Sequence, residues 1–320
     1  MKRKYYLRNI VCAVIIVTMV IGLTACTQNS KTDGKLSIVT TLFPQYDFAK
    51  QIAGDKAKVV LLLSPGTEAH SYDPSPADIV KINESDLFIY TGDYMETWAA
   101  RIIKSLEKDV NILDVSEGIS LVQTDKEDEA HGEEEHDAHN HVYDPHIWTS
   151  PVIARQMVEN ILNELIKIDA ENEEYYRENA ENYLAQLGEL DREFRQVVEQ
   201  ADIDTLYFAD KFAMYYFTKE YGLSYISVYD SCSSETEPGA KLVSNMIDEV
   251  KADNAPAIYY AELSNHKAAD TISKETGAKA LLLHSCHNVS KDEFQNGATY
   301  ISLMKQNLEN LKIGLYKESE

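Results

Sequence analysis

Residues that can bind a metal ion follow the carboxyl ends of strand-like segments in both halves of the chain. They are His70, His146, Asp210, Cys232, Glu262 and His284. In open α/β sheets, ligands bind in the crevice beyond the carboxyl ends of the strands. Any one of these residues alone would be an ordinary loop residue. Their equivalent positions in two halves of the chain predict one shared metal site.

A second group of histidines lies in the low-complexity segment 125–141, which is rich in Asp and Glu. Its members are His131, His136, His139 and His141. Imidazole and carboxylate donors suit borderline divalent cations, zinc first. We therefore predict a solvated loop that collects metal ions; an acidic loop with incidental histidines is the alternative. The chain has no His-Glu-x-x-His sequence, so a metalloprotease of that type lacks its motif.

The charge of the chain favours a cationic ligand. The sequence has 53 acidic residues against 30 Lys and Arg, and its formal charge is −23. A phosphate backbone is bound by net-positive surfaces, so this charge argues against a nucleic-acid partner. The hydrophobic fraction of 44% is that of a globular protein, which excludes a disordered chain and a protein with many membrane spans.

The N-terminus has the pattern of an export signal. Basic residues precede an apolar run over 10–25, which is shorter than the ~20 residues of a permanent membrane span. The sequence that ends at Cys26 is Leu-Thr-Ala-Cys, which resembles a bacterial lipobox. We predict a lipoprotein signal peptide over 1–26, a lipid anchor on Cys26 and a polar tether over 27–34. Simple secretion with cleavage nearby is the alternative.

The rest of the chain alternates apolar strand-like runs with helical patterns. This order predicts an α/β fold with two lobes, each a mostly parallel sheet flanked by helices. The lobes cover 35–149 and 201–320, and one long connecting helix over 150–200 joins them, with a kink or short break near Asp169–Asn172. A rigid connector of this kind favours rocking of the lobes over wide hinge opening.

Several motifs resemble those of the zinc/manganese solute-binding lipoproteins of bacterial ABC importers. These motifs lie at 38–44, 66–76, 144–148, 216–223 and 299–300. The resemblance implies the two-lobed fold described above, with His70 and His146 as metal ligands. The usual third ligand falls on Lys211, whose ammonium cannot coordinate a cation, and the usual carboxylate ligand falls on His284.

This departure predicts an altered ligand set. We expect His70, His146 and His284 to bind zinc together with Glu262 or Cys232, since zinc accepts nitrogen, sulfur and oxygen donors. His287 is expected to be exposed, and Lys211 to point away or to pair with Asp210. Cys232 and Cys286 are either free thiols or a disulfide, and a disulfide would remove both sulfurs from the site.

The resemblance implies an extracytoplasmic, lipid-anchored, monomeric protein that captures Zn²⁺. It would deliver the ion to an ABC permease and its ATPase, and it would not be an enzyme. Mn²⁺ is less favoured because it prefers carboxylate and water ligands. One alternative keeps the fold and binds an anionic metal chelate through Lys211. Another is a lipid-anchored zinc hydrolase with Glu262 or Asp210 as the general base.

Overall fold

The structure, a computed structural model, describes residues 34–107, 109–123, 143–229 and 238–317. The predictions for the signal peptide, Cys26, the tether up to residue 33, the acidic loop and Cys232 therefore fall outside the described residues. Within the described residues, no helix combines the length and the apolar character that a membrane span requires.

Two four-stranded sheets organise the described part of the chain. The strands are β1 Leu36–Thr40, β2 Ala57–Leu61, β3 Leu87–Tyr90, β4 Asn111–Asp114, β5 Thr205–Phe208, β6 Ser224–Ser227, β7 Ala257–Tyr260 and β8 Lys279–Leu282. The first sheet has the order β2-β1-β3-β4 and the second has the order β6-β5-β7-β8. Every neighbouring pair is parallel, so the carboxyl ends of the strands meet at one edge of each sheet.

Helices connect the parallel strands and cover the sheets. They are α1 Phe43–Ala53, α2 Pro76–Glu84, α3 Ala99–Ile103, α4 Pro151–Ile168, α5 Glu173–Glu199, α6 Tyr215–Tyr221, α7 Ala240–Ala252, α8 Lys267–Thr276, α9 Lys291–Gln295 and α10 Tyr300–Leu315. Several begin at a typical cap. Ser75 and Ser150 each accept a backbone N–H bond from the first turn and are each followed by proline.

Strand residues alternate between a central core and two outer ones. In β3, Leu87 and Ile89 face the central core, and Phe88 and Tyr90 face an outer cluster beneath Trp98. Successive side chains of a strand point to opposite faces, so a sheet that is buried on both faces needs apolar residues at every position. The strands β5 and β7 of the second sheet alternate in the same way. The predicted fold class is confirmed.

The segment predicted as one connecting helix over 150–200 is two helices. The predicted break at Asp169–Asn172 contains a short 3-10 turn over Ala170–Asn172 that separates α4 from α5. A Cβ atom at Gly188 in α5 would lie 3.6 Å from the Arg155 guanidinium in α4. In one straight helix these two residues would be about 50 Å apart, so the chain reverses at the break. The long helix α5 contacts helices of both halves, namely α1, α6 and α10.

A buried carboxylate holds these helices together. Asp47 in α1 accepts hydrogen bonds from the Tyr183 hydroxyl in α5 at 3.0 Å and from the Tyr300 backbone N–H in α10 at 2.9 Å. Burial raises the pKa of Asp47, and these hydrogen bonds oppose the rise. The central core likewise includes side chains from both sheets and both connector helices, and residues from Leu36 onward form one compact unit.

A second buried carboxyl group lies beyond the ends of β1 and β3. Glu96 is 2% exposed; it accepts hydrogen bonds from the Thr41 hydroxyl and, at 3.0 Å, from the Thr91 backbone N–H. Burial raises the pKa of Glu96 to about 8, although these hydrogen bonds lower it. Glu96 is therefore largely protonated at neutral pH in the folded protein. In the unfolded chain it has the ordinary pKa of 4.5 and is ionised at neutral pH.

We expect Glu96→Gln to stabilise the protein at pH 8 and to have little effect at pH 5. The raised pKa contributes stability that is fully present below pH 4.5 and is lost as the pH rises towards 8. Glutamine stays neutral, so the free energy of unfolding of the variant should exceed that of the wild type at pH 8 by on the order of a few kcal/mol. Urea unfolding at pH 5 and pH 8 measures this difference in the free energy of unfolding. The substitution of an exposed residue, Glu84→Gln, is the control. An equal effect at both pH values would contradict the explanation.

Candidate metal centre

The structure brings His70, His146 and His287 together. One donor atom from each imidazole lies within 4.8 Å of the donor atoms of the other two. The ring centroids are 5.6 Å apart for His70 and His146, 4.7 Å for His70 and His287, and 4.9 Å for His146 and His287. Nitrogens bound to one tetrahedral zinc ion are about 3.4 Å apart, so the present spacing is close to that of a loaded site.

A neighbouring carboxylate orients His146. Asp144 accepts a hydrogen bond from the His146 backbone N–H at 2.8 Å and lies 2.9 Å from its ring Nδ1. This second contact places the ring proton on Nδ1 and leaves Nε2 to coordinate a metal ion. The Tyr216 hydroxyl donates to the Asp144 carbonyl at 2.7 Å, which anchors the segment. His146 is 1% exposed, so its ring is buried in the orientation that these contacts set.

A tight loop after β8 presents His287. Cys286 has a left-handed backbone with φ of 61°, and its N–H donates to the His284 Nδ1 at 2.8 Å. The Glu262 carboxylate accepts hydrogen bonds from the Ser285 N–H at 2.8 Å, the Ser285 hydroxyl at 2.5 Å and the His287 N–H at 3.1 Å. A strained residue that so many contacts hold in place is typical of a functional site.

Trp148 connects this loop to the loop that carries His146. Its indole N–H donates to the Ser285 carbonyl at 2.8 Å, and its ring centroid lies 5.4 Å from that of His146 and 5.1 Å from that of His287. The Tyr300 hydroxyl donates to the Trp148 carbonyl at 2.6 Å. Trp148 is fully buried, so its contacts fix the relative positions of two histidines that come from different halves of the chain.

His70 lies on the loop after β2 and is partly buried. Glu68 accepts the Ala69 N–H at 3.0 Å and, through its other oxygen, pairs with the Lys211 ammonium at 3.0 Å. The Lys211 side chain thus lines the same cavity as His70 and His287. It was expected to point away or to pair with Asp210. The Asp210 carboxylate accepts the Lys211 backbone N–H at 2.7 Å.

His284 lies outside the group of three donors, which differs from the predicted ligand set. It is fully buried, and its Nε2 lies 3.7 Å from a Glu293 oxygen. Burial lowers the pKa of His284, but Glu262 and Glu293 more than offset this and raise it above the ordinary value. Because the His284 Nδ1 accepts the Cys286 N–H, the ring proton lies on Nε2 beside Glu293, and neither nitrogen offers a free lone pair to a metal ion. His287, expected to be exposed, is instead 8% exposed and takes its place in the group.

Of the other predicted ligands, Glu262 has a different role, and Cys232 lies outside the described residues. Glu262 is absent from the group of three donors, and its carboxylate holds the His287 loop instead. Cys286 is a free cysteine, and burial raises the pKa of its thiol well above the usual range, which keeps it protonated. The sequence did contain a signal for His287, since the segment 284–287 holds two histidines and a cysteine.

The family described as zinc-uptake complex component A periplasmic matches residues 38–314. This chain belongs to that family. The high-affinity zinc uptake system protein ZnuA of Bacillus subtilis is 37% identical over 305 residues, which are 93% of this chain and 95% of that protein. The zinc-binding lipoprotein AdcA of Streptococcus pneumoniae is 34% identical over 316 residues, which are 98% of this chain and 61% of AdcA.

Solved structures of the family have the same fold. The crystal structure of the metal-dependent lipoprotein YcdH from Bacillus subtilis has a TM-score of 0.76 at 36% identity and covers 88% of this chain and 100% of its own. The Zn(II)-bound ZnuA-like domain of Streptococcus pneumoniae AdcA also has a TM-score of 0.76, at 32% identity, and covers 89% of this chain and 100% of its own.

We expect Asp144→Asn to weaken zinc binding by roughly 10–100-fold, the usual cost of removing a group that orients a metal-binding histidine. The amide still occupies the site of the carboxylate but no longer favours the tautomer that carries the proton on Nδ1. Competition with a chelator of known affinity measures the change, and the exposed Asp55→Asn serves as a charge-matched control. Equal affinities for Asp144→Asn and wild type would exclude this role.

Proposed function

We propose that this protein captures Zn²⁺ outside the cell and delivers it to an ABC permease that a cytoplasmic ATPase drives. The convergence of His70, His146 and His287 carries this proposal, because three imidazoles within 4.8 Å form a ready nitrogen site for zinc. Membership of a zinc-uptake family and relatives named for zinc uptake and zinc binding support it.

The donor types favour zinc over manganese. All three clustered donors are imidazole nitrogens, whereas Mn²⁺ prefers carboxylate and water oxygens and binds more weakly at a given nitrogen site. The nearby carboxylates of Asp144 and Glu262 are occupied by hydrogen bonds that position the site. The site thus offers nitrogen where manganese would need oxygen.

The two other candidate functions have less support. The cavity beside His70, His287 and Lys211 has a volume of about 40 Å³, which is small for an organic metal chelate. A hydrolase would need a free general base, but Glu262 accepts three hydrogen bonds from the His287 loop.

The placement of the ligands suggests how zinc is released. His70 and His146 follow strands of the first sheet, whereas His287 follows a strand of the second. A rocking motion of one sheet against the other that breaks the hydrogen bond from Trp148 to the Ser285 carbonyl would separate His287 from the other two histidines and open the site. We propose that docking on the permease drives this motion.

The N-terminal features belong to the same proposal. We propose that residues 1–26 are a signal peptide, that lipid on Cys26 anchors a monomeric protein to the outer face of the cell membrane, and that 27–34 is its tether. The histidines of the segment 125–141 would collect zinc near the site. The name lipoprotein for AdcA and YcdH agrees with an anchored location.

Calorimetry of the apo full-length protein tests the function. We expect one tight zinc site per chain and Mn²⁺ binding weaker by at least about 100-fold. His287→Ala should weaken zinc binding by on the order of 100-fold, because it removes one of three donors.

His284→Asn is the matched variant, since its amide oxygen can accept the Cys286 N–H as the His284 Nδ1 does. Its zinc affinity should stay near that of the wild type. Tight binding that survives His287→Ala and disappears in His284→Asn would restore the sequence-based ligand set. Tighter binding of Mn²⁺ than of Zn²⁺ would overturn the function.

A further inference from the structure

The three clustered histidines leave one coordination position of zinc to be filled. Zinc sites in proteins are usually four-coordinate, and among the described residues one group of metal donors converges in this way, with three members. In zinc proteins generally, the fourth donor is a side chain or a solvent molecule.

Several side chains around the site already have hydrogen-bond or ion-pair partners. Asp144 binds the His146 ring, Glu262 accepts three hydrogen bonds, and His284 contacts Glu293. The buried Cys286 stands outside the group of donors. Glu68 also lines the cavity beside the histidines, and one of its oxygens pairs with the Lys211 ammonium.

That cavity contains the ammonium of Lys211. It is lined by His70 and His287 and also by Lys211, Glu68 and Glu262. The Lys211 side chain is 23% exposed. Its ammonium is therefore partly shielded from bulk water, and its interactions with charges in the cavity are stronger than they would be in solvent. Its only described ion pair, with Glu68 at 3.0 Å, balances this charge before any ion enters.

We infer that a small monodentate anion from solution, such as chloride or hydroxide, occupies the fourth coordination position of the bound zinc and contacts Lys211. The inference rests on the proposed function. Three neutral imidazoles leave the full double charge on the ion, and an anion between the metal and the ammonium compensates it. Lys211 lies at the position where the resemblance implies a metal ligand. In this protein it would instead bind the anion that coordinates the zinc.

The size of the cavity limits which anion fits. A water molecule needs about 10–15 Å³ of cavity volume, and this cavity has about 40 Å³. One or a few atoms fit beside the histidines, and an amino acid or citrate does not. Lys211 and Glu68 carry opposite charges. Removing the charge of Lys211 should therefore weaken anion binding, and removing the charge of Glu68 should strengthen it.

Cobalt-substituted protein provides the test, because the visible spectrum of Co²⁺ changes when an exogenous anion enters its coordination sphere. We expect azide and chloride to change the spectrum of the wild-type protein in a saturable manner. Lys211→Met should weaken azide binding at least tenfold, and Glu68→Gln, which keeps the oxygen that accepts the Ala69 N–H, should strengthen it. Lys219→Met, an exposed lysine on α6, is the matched control and should behave as wild type.

A fourth imidazole gives an independent test. Lys211→His should place a protein donor at the fourth position, so its cobalt spectrum should no longer respond to azide. Zinc affinity should rise at least tenfold, since a protein donor replaces one that must be recruited from solution.

Three results would overturn the inference while leaving zinc capture intact. A wild-type cobalt spectrum that azide does not change would mean that the chain fills the fourth position. A thiolate-to-cobalt charge-transfer band that disappears in Cys232→Ser would assign that position to Cys232. A spectrum that becomes azide-sensitive only in Glu68→Gln would assign it to Glu68. Failure of the wild type to bind cobalt or zinc would instead overturn the proposed function.

Discussion

The hydrogen bond from the Trp148 indole to the Ser285 carbonyl is the contact on which the metal site most depends. It joins two loops that are far apart in sequence, and each loop carries one of the clustered histidines. Both partners are buried, so breaking the bond would leave a donor and an acceptor without compensation in a low-dielectric interior. The position of His287 relative to His146 is therefore fixed by the core of the protein.

The core that supports this contact is shared by both sheets. Asp47 ties α1 to the long helix α5 and to α10, and Tyr300 at the start of α10 donates in turn to the Trp148 carbonyl. The chain thus connects the buried carboxylate, the tryptophan and the His287 loop through consecutive hydrogen bonds. Such a network restricts the site to a few arrangements.

Acidic residues near the site position it and do not belong to the group of donors. Asp144 orients an imidazole, Glu262 holds a loop, and Glu68 pairs with a lysine. A buried carboxylate costs free energy unless hydrogen bonds or a cation compensate it, and each of these groups has such compensation within the chain. The histidines can therefore stay neutral and present nitrogen to a metal ion, although the protein as a whole is strongly acidic.

The sequence by itself determined the α/β class and the two parallel sheets, and it predicted that His70 and His146 lie in one site. Alternating apolar runs and helical patterns depend on local burial, and each of these histidines is the single histidine of a short motif. Only the tertiary structure decided between His284 and His287, because the left-handed Cys286 and the bonds from Glu262 and Trp148 turn the loop. Likewise, a kinked helix and a reversed pair share one amphipathic pattern, and packing against the core selects the reversal at Asp169–Asn172.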